Sequence, residues 1–317
     1  MILLAAAFLL FVLLNIAAFW HARRLLRYNR YPLRTKTKSA FKLSTAERVR
    51  VIMSGVRLPR PQAVCQPSDF GVAHETIFFP SRRGRRLEAW KIESKEKKGT
   101  VVLFHAYVEE KSQLLPEAKA FRDMGYESIL VDMSGCGGST GTTSSLGVRE
   151  SRDVEAVYNA LREADPKGRI ILYGKSMGAS AVMRAASKFK LTPEAIILEA
   201  PFSNLFQTVA RRWRELYLPT FPFLHLVFFW GSVQMGSNGF RHNPVRYAKS
   251  VRSPVLILHG RHDRYNTLED AGLIFDALRT KKELRVFSES GHGDLVRCEP
   301  KRWSAEVSTF LDGISKS

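Results

Sequence analysis

The chain has 317 residues, 45% hydrophobic and 25% charged, which allows a sizeable buried core and excludes a disordered or fibrous polymer. Its formal net charge of +19 invites a nucleic-acid reading, but no recognisable nucleic-acid module accompanies it, so no specific nucleic-acid partner is expected. Cys65, Cys136 and Cys298 are odd in number and widely spaced, which excludes a disulfide framework or a cysteine metal cluster and fits a reducing compartment.

Residues 1–20, MILLAAAFLLFVLLNIAAFW, are apolar apart from Asn15 and have the length a helix needs to cross a hydrocarbon layer. Arg23, Arg24, Arg27, Arg30, Arg34, Lys36, Lys38 and Lys42 follow, with no acidic residue among them. This run suits the headgroup level, where anionic membrane lipids attract it. By the positive-inside rule it places residues 21–317 on the cytoplasmic face of a single-pass protein. A secretory signal would carry its charge ahead of the apolar run, so a retained anchor is the expectation. Residues 21–71, with Pro32, Pro59, Pro61 and Pro67, read as a basic stalk and lead-in. A short helix is expected through LSTAERVRVIMSG, capped by Ser44 or Thr45 with Glu47 in its first turn.

From residue 72 strand and helix patterns alternate. HETIFFP and RLEAWKIES flank a glycine-bearing charged turn and predict an antiparallel pair. TVVLFHA, ESILVDM, RIILYG, EAIILEA, PVLILHG and LRVFSES are short apolar runs, separated by helical stretches near 112–124, 147–163, 177–188 and 267–279 and followed by a closing helix from about 300. The series predicts an α/β domain over 72–314, with a mostly parallel sheet covered by helices on both faces.

The chemistry concentrates where such strands end. IILYGKSMG runs an apolar strand into Gly174-Lys175-Ser176-Met177-Gly178, with a helix after it, so the sharp turn lifts the Ser176 hydroxyl out of the sheet edge. A serine hydroxyl is a weak nucleophile until a base takes its proton, and that base needs an orienting acid. His292, in Ser290-Gly291-His292-Gly293, follows the last strand. Asp263 follows PVLILHG, completing the order serine, acid, histidine. Asp294 lies too close to His292 to orient it, Asp270 is expected to face solvent from a helix, His262 leaves the glycine-flanked histidine unexplained, and His259 reads as structural. The backbone amides of Met177 and Tyr107, with Ala106 and Val108 as the alternatives to Tyr107, are the candidate oxyanion-hole donors. DMSGCGGSTG at 132–141 matches no nucleotide-loop pattern and reads as a compact loop in which Asp132 accepts structural hydrogen bonds.

These motifs together resemble the α/β-hydrolase superfamily, and within it the membrane-anchored Bem46-like and serine-aminopeptidase/lysophospholipase-like branch. LFHAYVEEK corresponds to the oxyanion loop, VDMSGCGGSTG to the D-x-R-G-x-G-x-S loop, GKSMG to the nucleophile elbow, and HGRHD and SGHGD to the acid and histidine loops. The chain departs from the branch at Ala106, Ser134 and Gly293, where glycine, arginine and asparagine are frequent. The resemblance implies hydrolysis of an ester, thioester or amide through a covalent acyl-enzyme, without cofactor or metal.

Residues 201–250 form an insertion resembling the family's cap or lid. Trp213, Tyr217, Phe221, Phe223, Phe228, Phe229 and Trp230 make it far richer in aromatics than the chain's 11%. These side chains can line an apolar acyl pocket, pack the cap together, or touch a membrane, and the pattern alone leaves all three open. The expected function is a membrane-anchored carboxylic-ester hydrolase acting on a hydrophobic acyl substrate. A thioesterase or peptidase is the enzymatic alternative, and a membrane-surface scaffold the non-enzymatic one.

Overall fold

The computed structural model describes residues 1–29, 44–81, 84–215, 220–293 and 295–315. Arg30, Arg34, Lys36, Lys38 and Lys42 of the basic run, Tyr217 of the insertion, and Asp294 lie outside the described residues. In chain order the elements are α1 (Ile2–Leu26), α2 (Thr45–Ser54), β1 (Glu75–Ser81), β2 (Arg85–Ile92), β3 (Thr100–Phe104), α3 (Leu115–Asp123), β4 (Glu127–Val131), α4 (Ser151–Ala164), β5 (Ile170–Lys175) and α5 (Met177–Phe189). They continue with β6 (Ala195–Glu199), α6 (Leu205–Arg214), α7 (Phe223–Met235), α8 (Pro244–Ala248), β7 (Val255–Gly260), α9 (Leu268–Ala277), β8 (Lys282–Phe287), α10 (Leu295–Cys298) and α11 (Pro300–Ser315). The chain divides into two compact units, residues 1–60 with 205–242, and residues 61–204 with 243–317.

The larger unit is built on one eight-stranded sheet in the order β1-β2-β4-β3-β5-β6-β7-β8. β1 and β2 pair antiparallel and β2 meets β4 antiparallel, while every pairing from β4 through β8 is parallel. Side chains alternate across the central strands with period two. Val102, Phe104, Leu172, Ile196 and Ile257 join one core with α4, α5, α8 and α9. Val101, Leu103, Ile171, Tyr173, Ile197 and Leu256 join the other with α3, α10 and α11. Both faces are therefore covered, which is why these strands are apolar throughout. Trp303 is the largest fully buried side chain; its ring lies 5.2 Å from that of Phe121 and 6.4 Å from that of Tyr173.

The smaller unit holds the apolar N-terminal helix and the insertion. α1 is the one helix among the described residues long and apolar enough to cross a membrane, and it runs on past Trp20 to Leu26. α2 begins with a capping box: the Ser44 hydroxyl accepts from Glu47 N–H, and the Glu47 carboxylate accepts from Ser44 N–H. The aromatics of the insertion divide into three sets. Phe223 and Trp230 pack against α1, Phe228 packs against Phe206 and Phe240, and Phe221 and Phe229 are exposed.

Two local expectations are corrected. The helix placed at 147–163 begins at Ser151, because the Glu150 carboxylate accepts from the amides of Ser145 and Gly147 at 2.7 and 3.0 Å and holds 144–150 as a loop. Asp270 does not face solvent: it is buried, caps α9 through Thr267 N–H at 2.9 Å and accepts from the Ser203 hydroxyl. A helix-cap carboxylate turned inward needs such internal donors.

Truncating Trp303 to alanine removes the side chain that joins α11 to α3 and to the sheet. The expected loss is about 3–5 kcal/mol in urea unfolding of the detergent-solubilised chain.

Candidate active site

β5 ends in a backbone crossing that only glycine tolerates. A Cβ at Gly174 would stand 2.5 Å from Gly178 C, and one at Gly178 would stand 2.2 Å from Phe104 O. Between them Ser176 has φ +52° and ψ −107°, a conformation L residues rarely adopt, and its N–H donates to Glu199 O at 2.8 Å. The crossing is what turns the chain from strand into α5. Met177 is the first residue of α5, so its N–H lies outside the helix's own hydrogen-bond ladder.

The acid and histidine arrive on loops after β7 and β8. Those loops are tied together by Arg261 N–H donating to Phe287 O at 2.8 Å and His262 N–H donating to Ser290 O at 3.0 Å. His292 Nδ1 lies 2.7 Å from Asp263 Oδ2, and His292 Nε2 lies 3.2 Å from Ser176 Oγ. A carboxylate only accepts, so the imidazole donates from Nδ1 to Asp263 and presents Nε2 as acceptor to the serine hydroxyl. The other Asp263 oxygen accepts from the amides of Tyr265 and Asn266 at 2.8 and 2.9 Å, which fixes the carboxylate's direction. The Tyr265 ring meets the imidazole edge-on at a centroid distance of 5.2 Å.

Ser176, Asp263 and His292 are thus brought together from three chain segments. Among the described competitors, His262 is exposed, and His259 is fully buried, with Nε2 3.1 Å from Asn266 O and 3.9 Å from Asp263 Oδ2. Burial holds His259 below the ordinary histidine range against the pull of Asp263. In the loop after β3, Ala106 N–H is committed to Glu109 Oε2 at 3.3 Å, and Tyr107 is half-buried against the core. His105 accepts from Met133 N–H at 3.1 Å and its other ring nitrogen lies 2.7 Å from Ala106 O, so the imidazole joins this loop to the glycine-rich one.

Asp132 is the structural acceptor expected of it. It receives Lys111 N–H and Gly138 N–H, both at 2.9 Å, and the Lys111 ammonium, which also reaches Glu88 at 2.8 Å and lies 4.3 Å above the Trp90 ring. Ser134, standing where the family pattern has arginine, donates its N–H and hydroxyl to Asp153 at 2.8 and 2.9 Å. Burial pushes the Asp153 carboxyl up to about 6, with the Ser134 amide opposing.

Sequence reasoning missed a buried ionic cluster beside Ser176. Lys175, the residue before Ser176, places Nζ 3.2 Å from Glu117 Oε1 and 3.9 Å from Glu199 Oε1. Glu199 Oε2 accepts from Tyr173 OH at 2.6 Å and from Trp303 Nε1 at 3.3 Å. The Lys175 stem also passes close to the residue after His292: a Cβ at Gly293 would come within 2.5 Å of Lys175 Cε. The available signals were a lysine inside the elbow and a glutamate closing the apolar run EAIILE. Burial alone would lower the Lys175 pKa, but Glu117 and Glu199 outweigh it and raise it, so the ammonium persists. One ammonium faces two carboxylates, and burial pushes Glu117 up to about 7, with Lys175 lowering it and Glu199 raising it.

Residues 95–244 match the family described as serine aminopeptidase, S33. Protein YqkD of Bacillus subtilis is 24% identical over 252 residues, covering 78% of this chain and 83% of its own. Protein Bem46 of Schizosaccharomyces pombe is 24% identical over 233 residues, 72% of this chain and 74% of its own. Lysophosphatidylserine lipase ABHD12 of Danio rerio is 24% identical over 262 residues, 74% of this chain and 66% of its own. The Pyrococcus furiosus esterase Pf2001 superposes with a TM-score of 0.67 at 24% identity, over 80% of this chain and 96% of the esterase. The fold is that of the α/β-hydrolase superfamily. Est1E of Butyrivibrio proteoclasticus, solved with ferulic acid bound, shares the fold with a TM-score of 0.62 at 17% identity, over 76% of this chain and all of its own.

The cluster predicts a pH-dependent stability. Because the Glu117 carboxyl titrates near 7 in the folded chain and near 4.5 when unfolded, the folded state holds the extra proton between those values. Stability contributed by this group therefore falls as pH rises from about 4.5 to 7, by on the order of 3 kcal/mol in total. Glu117→Gln removes that dependence, so the variant's Tm relative to the parent is expected to rise from pH 5 to about pH 7 and to level off by pH 8. A difference that stays flat across this range would mean that Glu117 is ionised throughout.

Proposed function

We propose that the chain is a membrane-anchored serine hydrolase that cleaves a carboxylic ester of a hydrophobic acyl group through an acyl-enzyme. The observation that carries this reading is the continuous hydrogen-bonded series Ser176, His292, Asp263, at 3.2 and 2.7 Å, over the carboxyl ends of a parallel sheet. Ser176 Oγ attacks the ester carbonyl as His292 Nε2 takes its proton, and Asp263 steadies the imidazolium that forms. Negative charge on the carbonyl oxygen is received by the Met177 and Tyr107 amides. His292 then gives the proton to the leaving alkoxide, and the acyl group remains on Ser176. A water deprotonated by the same histidine attacks that ester and restores the serine.

The hydrophobic class of substrate is supported by the apolar α1 and the aromatic insertion, and by a relative named as a lysophosphatidylserine lipase. The match to a serine aminopeptidase family favours amide cleavage as the second reading, since the same three residues serve either bond. By the charge rule the hydrolase unit faces the cytoplasm, with the basic run against anionic lipids.

An alkyl fluorophosphonate is expected to label the membrane-bound chain at Ser176. Ser176→Ala is expected to lose the label and to lower turnover of acyl esters at least about 1,000-fold. Labelling of another residue in that variant would overturn the assignment. A panel of p-nitrophenyl esters, acyl thioesters, lysophospholipids and aminoacyl anilides then separates ester from amide preference by kcat/KM.

A further inference from the structure

The helix that crosses the membrane in the reading above is not solitary. Its mid-span residue Asn15 accepts from Trp230 Nε1 of α7 at 3.1 Å, and Phe19 O accepts from Gln234 Nε2 at 3.0 Å. Ala18, Ala22 and Val227 form a buried cluster between the two helices. At Gly231 α7 comes so close that a Cβ there would lie 3.8 Å from Ala22 Cβ. Small residues at the crossing and a few polar ties between otherwise apolar helices are how helices associate where no water drives them together.

Depth follows from the register. Asn15 lies 8 residues before Arg23, where the basic run begins, about 12 Å along the helix axis. A helix hydrogen-bonded at that level lies well inside a hydrocarbon layer about 30 Å thick if α1 spans it. The composition of α7 agrees. FLHLVFFWGSVQM contains no charged residue, and its polar side chains make internal hydrogen bonds. Ser232 donates to Phe228 O at 2.7 Å, His225 Nδ1 lies 3.3 Å from Thr220 O, and Trp230 and Gln234 bond α1. Polar groups satisfied within the protein are what lipid surroundings demand. Yet Phe221, Phe229 and Val233 are 74%, 51% and 56% exposed, an apolar surface that water would penalise. Thirteen residues span about 20 Å, too short to cross.

We infer that α7 of the insertion is embedded in one leaflet beside α1, with Phe229 and Val233 against lipid acyl chains, so that the cap is itself a membrane element. This rests on the anchor reading for α1, and the test separates the two. The full chain, with Cys65→Ser and Cys298→Ser, is reconstituted in vesicles of phosphatidylcholine and phosphatidylglycerol at 3:1. One cysteine at a time is added, at Phe8, Phe229 or the exposed Lys167, to carry a bimane label that the buried Cys136 does not take up, and quenching by acyl-chain-brominated lipid is measured. Quenching at Phe229→Cys within twofold of that at Phe8→Cys, and at least fivefold above Lys167→Cys, is the expected result. Quenching at Phe8→Cys but not Phe229→Cys overturns the inference and leaves the anchor standing; quenching at neither overturns both. In the same vesicles Ala22→Cys with Gly231→Cys is expected to form a disulfide under mild oxidation, since 3.8 Å between Cβ atoms suits that bond. Failure of that crosslink, with both thiols accessible to alkylation, also overturns the inference.

Discussion

The site hangs on one close approach of backbone to backbone. Where β5 turns into α5, Gly174 lies against Gly178 and Gly178 lies against the end of β3, with no room for side chains at either position. That crossing forces Ser176 to a positive φ, lifts its hydroxyl above the sheet edge and starts a helix directly behind it. The strain at Ser176 is held by neighbours that leave the backbone no alternative, including the β6 carbonyl of Glu199 that accepts its amide proton. Parallel pairing of β5, β6, β7 and β8 then delivers the following loops to the same edge. The acid and the histidine can therefore meet the serine although 116 residues separate Ser176 from His292.

Beneath that edge the protein buries charge. Lys175, Glu117 and Glu199 lie beside the Ser176 turn, with Tyr173 and Trp303 donating to one Glu199 oxygen and the Lys175 ammonium 3.9 Å from the other. An ammonium flanked by two carboxylates in low dielectric is costly to assemble and costlier to break. Its stem reaches the residue after His292, so the cluster joins the elbow to the histidine loop through packing. The same principle recurs beside it: Lys111 between Asp132 and Glu88 holds the glycine-rich loop, and Asp153 takes the donors of Ser134.

The insertion shows how a structural role and a surface role divide among similar residues. Seven aromatic residues in one stretch read alike in sequence, yet Phe223 and Trp230 turn to α1, Phe228 joins Phe206 and Phe240, and Phe229 points outward. No one-dimensional pattern could distinguish them, because α7 is apolar nearly all round its circumference and lacks a polar face to set its orientation. The partner helix settles it, through Ala18, Ala22 and Gly231 where bulkier side chains would hold the two axes apart.

Much of this molecule is written locally. Apolar runs that need cover on both faces determine a parallel sheet, glycines around Ser176 determine the elbow, and Ser44 with Glu47 determines the start of α2, because each depends on residues only a few positions apart. The antiparallel edge pair was legible for the same reason. What only tertiary structure decided is whatever requires distant segments to meet: the burial of Asp270 by Ser203, the ion cluster around Lys175, and the pairing of α7 with α1. A charge in a sequence gives no sign of whether water or another charge will surround it, since desolvation and partnership arise only when the chain has closed on itself.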